Sequence, residues 1–94
     1  MTSIEIEDMK RRASEIYPEP GRFYRHYKGG LYKVLHLAKH TENDEVLVIY
    51  QSVHFGSFYA RPLSSWNLPV NPDPNPKKYD VLMSRFELID YEEV

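Results

Sequence analysis

Between residues 21 and 61 the chain sets four short runs of β-branched, aromatic and leucine residues between turn signals, and this punctuation restricts it to a meander of strands. The runs are 22–27, 31–39, 45–53 and 58–61. The third constrains the fold most, because Val46-Leu47-Val48-Ile49-Tyr50 is apolar at every position and has no face to offer water. Lys28-Gly29-Gly30 supplies a tight hairpin turn, with glycines that reach positive φ at no steric cost. Thr41-Glu42-Asn43-Asp44 and Phe55-Gly56-Ser57 supply the next two turns, and Pro62 blocks further pairing of the fourth run.

The flanking segments read differently. Ile6, Met9, Ala13 and Ile16 or Tyr17 recur at helical spacing, with Thr2 and Glu5 able to form a capping box, so a helix is predicted before Tyr17-Pro18-Glu19-Pro20-Gly21 ends it. Residues 62–66 suit a single helical turn. The four prolines of 69–76 demand a loop, and a last strand is predicted from 79 to 89. With 94 residues there is room for one modest core. The expected fold is mainly β: a small SH3-like barrel or a strongly curved antiparallel sheet of about five strands, with an N-terminal α-helix. Residues 1–20 are read as helix and linker, and 21–94 as a single β-barrel-like domain with the Pro-rich loop at 69–76.

Composition narrows the chemistry. Without cysteine there is no disulfide framework, thiolate zinc site, iron–sulfur cluster or cysteine nucleophile. His36 and His40 have a recognisable ligand spacing, but on a strand they lie about 13 Å apart, so neither a metal nor another cofactor is expected. Ser52, His54 and Ser57 lie together without a glycine-rich elbow, and Gly29-Gly30 is a turn pair and not a phosphate cradle. The amino terminus lacks the basic start and apolar stretch of a secretory signal, and no apolar run is long enough to span a bilayer, which points to a cytoplasmic protein with no membrane partner.

Net charge is −2, yet it is unevenly spread. Residues 21–41 hold five fixed positive charges (Arg22, Arg25, Lys28, Lys33, Lys39), three histidines and no acid, whereas 87–94 hold four acids and no base. Strand pairing can bring Arg25, His26, Lys28, His40, Glu42, Tyr50 and Arg61 to one rim, where they form a candidate site for a phosphate, a carboxylate or a nucleic-acid backbone. The plainer alternative pairs Arg61 with Glu42 and leaves the histidines as satisfied edge or core residues. The aromatics permit a base-stacking platform or a groove for a proline-rich or cationic peptide, with Tyr27, Tyr59 and Trp66 the candidates for the exposed surface. A core of this size also needs large rings, so many of the aromatics should be buried.

Tyr24-Arg25-His26-Tyr27-Lys28-Gly29, His40-Thr41-Glu42, Val48-Ile49-Tyr50 and Arg61-Pro62, in that order, together resemble the bacterial family called domain of unknown function sixteen fifty-three. The resemblance covers roughly 21–63 and resumes at Arg85-Phe86. The family carries no assigned activity, so the resemblance implies none. The function expected from the residues is a binding module presenting a basic and aromatic surface to an anionic ligand or nucleic acid. The alternative is a protein–protein interaction domain using an aromatic groove and the Pro-rich loop, and a small enzyme built on His26, His40 and Glu42 stands third.

Overall fold

The computed structural model describes residues 16–71 and 82–90. Five strands, β1 (Phe23–His26), β2 (Leu31–Lys39), β3 (Val46–Ser52), β4 (Phe58–Pro62) and β5 (Phe86–Ile89), and one short helix, α1 (Leu63–Asn67), follow in the order β1-β2-β3-β4-α1-β5. All pairings are antiparallel, and the strands lie side by side as β4-β3-β2-β1-β5. The predicted N-terminal helix and most of the Pro-rich loop lie outside the described residues.

The turns fall where the punctuation predicts, for local reasons. Between β1 and β2, Gly29 sits at φ 104°, while the His26 and Gly29 amides donate to the Gly30 and His26 carbonyls at 2.7 Å each. Between β2 and β3, Asn43 Oδ1 accepts the Glu45 amide at 2.9 Å, and Asp44 takes the left-handed φ of 58° that short polar side chains tolerate. Between β3 and β4, Ser52 Oγ accepts the Phe55 amide at 3.1 Å.

One face of the sheet carries the core. Tyr24, Val34, Val48 and Tyr50 project from it and pack against Leu63 and Trp66 of α1 and Phe86 of β5. Leu63 and Trp66, three apart on a helix, share a side and are 2% and 3% exposed. The Trp66 ring lies flat on Phe86 at 3.6 Å between centroids and meets Tyr24 and Tyr50 edge-on at 5.4 and 5.1 Å. Trp66 is therefore a core residue and not part of an aromatic surface. Its spacing from Leu63, just after a proline, is the pattern of a one-turn helix pinned by its apolar side.

A bulge in β2 shapes this face. Val34 opposes Tyr50 but His36 opposes Ile49, so the register shifts by one residue. Val34 and Leu37, which strict alternation would put on opposite faces, thereby both reach the core.

The sheet does not close into the barrel that was one expectation. Among the described residues β4 pairs with β3 and β5 with β1, and no pairing joins β4 to β5. Pro62 has no amide to donate and hands the chain directly to α1, while β5 is only four residues long. Side chains span the gap instead: Trp66 stacks on Phe86, and the Arg61 guanidinium lies 5.5 Å over the same ring. Among the described residues no helix is long and apolar enough to cross a membrane.

Candidate functional site

Strand registers decide which candidates meet. Side chains alternate across a strand, so on β1 Tyr24 and His26 face α1 while Phe23 and Arg25 face away. His26 opposes Phe86, Tyr24 opposes Tyr32, Tyr50 opposes Tyr59, and Val48 opposes Arg61. At the end of the sheet that holds the β1–β2 turn, these residues leave a cleft of about 390 Å³. Its wall is made by Tyr32, Tyr50, Tyr59 and Phe86, and its polar groups come from His26, Lys28 and Arg61. Among the described residues no carboxylate lines it.

The aromatic wall is tightly organised. Tyr32 meets Tyr50, Tyr59 and Phe86 edge-on, at 5.3, 6.1 and 6.1 Å. Tyr59 stacks on Tyr50 at 5.4 Å and 28°, and it remains 44% exposed. Gly30, which also borders the cleft, has a structural role beyond its turn: a Cβ there would stand 2.7 Å from Tyr32 Cε2 and 2.8 Å from its hydroxyl. Any larger residue would force the Tyr32 ring to shift, because that ring lies against the Gly30 backbone.

Arg61 is half-buried and has only neutral partners among the described residues. Its Nε donates to the Tyr50 hydroxyl at 3.3 Å, and one terminal nitrogen donates to Ser65 Oγ at 3.1 Å. The expected pairing with Glu42 does not form, because Glu42 sits in the turn beyond the far end of β2. Arg85, the residue before β5, has a buried Nε with no hydrogen-bond partner among the described residues.

His26 is held between these cations. Its Nδ1 accepts the Lys28 amide at 3.2 Å, so the neutral ring carries its proton on Nε2. Burial, and then the charges of Arg61, Arg85 and Lys28, lower its pKa from the ordinary 6.5. Tyr27 packs on His26 at 4.6 Å, with the Lys28 ammonium 5.7 Å over the Tyr27 ring, so Tyr27 buttresses the cleft from outside.

Of the polar set, the structure thus brings together His26, Lys28, Tyr50 and Arg61 and separates three others. Arg25 is exposed on the opposite face, beside its cross-strand neighbour Glu87. His40 and Glu42 stand in the β2–β3 turn, at the opposite end of β2 from His26 and Lys28, where His40 Nδ1 accepts the Glu42 amide at 3.1 Å. The constellation needed for the enzyme reading does not converge. Among the described residues no group of three or more His, Cys, Asp or Glu is placed to hold a metal ion. Sequence reasoning missed Phe86 and gave Gly30 only a turn role, whereas Tyr32 belongs to the aromatic group it weighed. Tyr32 was signalled by its alternation with Val34, but Phe86 joins only through the return of β5 beside β1.

A family model described as "Protein of unknown function (DUF1653)" matches residues 22–88, most of the chain and all of the strands but the last residue of β5. The chain belongs to this family. A crystal structure of a family member from Bordetella bronchiseptica is similar, with 30% sequence identity over 86% of this chain and 97% of that one, and a TM-score of 0.66. The curated proteins contain no match. The matched span includes all the cleft residues, from His26 to Phe86.

Proposed function

We propose that the chain is a binding module whose cleft holds a compact anionic ligand. The observation that carries this reading is Arg61: a half-buried residue whose guanidinium has only neutral partners among the described residues, in a cleft that among them also holds Lys28 and His26 and no carboxylate. Desolvating a cation costs several kcal/mol, roughly, unless an opposite charge offsets it, so such a site favours an anion. The His26 Nε2–H is a donor even when the ring is neutral. A compact ligand fits better than a long nucleic-acid backbone, because the other basic residues form no track: Arg25 is on the opposite face and Lys39 at the far end of β2.

The reading is tested by titrating the protein with inorganic pyrophosphate at low and physiological salt. Binding should weaken with salt, and Arg61→Gln should lower affinity about tenfold or more, the scale of a charge-assisted hydrogen bond. Arg25→Ala should leave affinity unchanged. No binding at low salt, or equal loss in both variants, would refute the reading.

A protein-interaction role draws on a different surface, where Phe55 and Phe58 are 86% and 68% exposed at the β3–β4 turn and on edge strand β4. Partner binding there would be insensitive to salt and to Arg61→Gln.

A further inference from the structure

We infer that the ligand is a nucleoside monophosphate unit, its base laid on the open face of Tyr59 and its phosphate held by Arg61, Lys28 and His26. This rests on the anion reading above and specifies the ligand's other half. A bare inorganic anion needs donors and nothing more, whereas five of the eight residues bordering the cleft carry aromatic rings: His26, Tyr32, Tyr50, Tyr59 and Phe86. Its volume of about 390 Å³ exceeds what phosphate alone would fill and falls near the small end of ligand pockets, roughly 300–1,000 Å³.

The state of Tyr59 is what points to a flat ligand. An exposed tyrosine on an edge strand usually rotates freely, but this ring is stacked on Tyr50 on one side and met edge-on by Tyr32. The ring is thus packed on one side before any ligand arrives, while 44% of the residue stays open to solvent. A rigid, half-open ring is a stacking platform with little entropy left to lose on binding.

Charge and spacing complete the choice. Aromatic clefts also take quaternary ammonium ligands, but Arg61, Lys28 and the nearby Arg85 repel a cation. Tyr59 and Arg61 are two residues apart on β4 and face the same side, with their backbones separated by about 6.6 Å. Both side chains therefore border the same cleft, where one ligand can reach the ring and the cation together. The same unit occurs free in solution and within single-stranded nucleic acid.

The test is an NMR titration of the whole chain with AMP, ribose 5-phosphate, adenosine and a hexaadenylate strand. AMP should bind about tenfold more tightly than ribose 5-phosphate or adenosine. Tyr59→Ala should reduce AMP to the affinity of ribose 5-phosphate and leave ribose 5-phosphate unchanged, and Tyr59→Trp should retain AMP binding. A hexaadenylate that binds more tightly than AMP assigns the unit to a strand, and one that binds no better assigns it to free nucleotides; both agree with the inference. If ribose 5-phosphate binds as tightly as AMP, or if Tyr59→Ala weakens both equally, the nucleotide assignment is overturned and the anion reading stands. If neither AMP, ribose 5-phosphate nor pyrophosphate binds, both are overturned.

Discussion

Replacing Gly30 with alanine tests whether the cleft depends on the Tyr32 ring lying against bare backbone. Gly30 does not have positive φ, so alanine suits its backbone and would on its own stabilise the fold by about 0.4–1 kcal/mol by restricting the unfolded chain. Against this, the new Cβ would stand 2.7, 2.8 and 3.0 Å from Tyr32 Cε2, hydroxyl and Cζ, so the ring must shift and disturb its edge-on contacts with Tyr50, Tyr59 and Phe86. Overpacking of this kind costs about 1–3 kcal/mol. The net expectation is a loss of about 1–2 kcal/mol, which lowers the urea midpoint by on the order of 1 M. Gly29→Ala serves as a control: its Cβ meets nothing within 4 Å, but φ 104° makes alanine strained at a similar cost, about 1–2 kcal/mol. The two variants should therefore be similarly destabilised, while only Gly30→Ala impairs pyrophosphate binding. In a Tyr32→Leu background the sign should reverse, with Gly30→Ala neutral or stabilising. A Gly30→Ala protein that is more stable than the parent, or whose cost is unchanged by Tyr32→Leu, would refute this packing assignment.

Trp66→Ala should cost about 3–5 kcal/mol, read from urea or thermal unfolding, because it removes the ring that stacks on Phe86 and fills the gap between β4 and β5. The lowered pKa of His26 means that the unfolded chain takes up the proton first as pH falls. The contribution of His26 to stability is therefore complete above 6.5 and lost as pH drops through its lower folded value. Unfolding midpoints at pH 7.5 and 5.5 should accordingly differ less in His26→Gln than in the parent. Sulfate, whose charge is constant over this range, should raise the pKa of His26 as seen by imidazole proton shifts, so sulfate binding strengthens as pH falls.

Local punctuation carried most of the meander. Gly30 and the Thr41-Glu42-Asn43-Asp44 turn bound β2, and the unbroken apolar run of β3 fixed the centre of the sheet. Features set by long-range pairing were less legible. Strand β5 is four residues placed by β1, some sixty positions earlier, and the apolar alternation of 79–89 does not by itself locate it. The bulge after Val34 reverses the alternation that a strand pattern assumes, which is why Leu37 joins the core. Within the site, His26 and Lys28 were legible from the hairpin turn that holds them. Arg25 was misplaced because adjacent residues on a strand face opposite ways, and His40 and Glu42 because β2 is long enough to carry them to the other end of the sheet.

The most direct test of the anion-binding cleft is an amide-proton NMR titration of the labelled chain with pyrophosphate at low salt. The expected result is a salt-reversible set of shifts confined to His26, Lys28, Gly30, Tyr32, Tyr59, Arg61 and their neighbours. Shifts centred on Arg25, Lys33 and Lys39, or no shifts at any concentration, would contradict it.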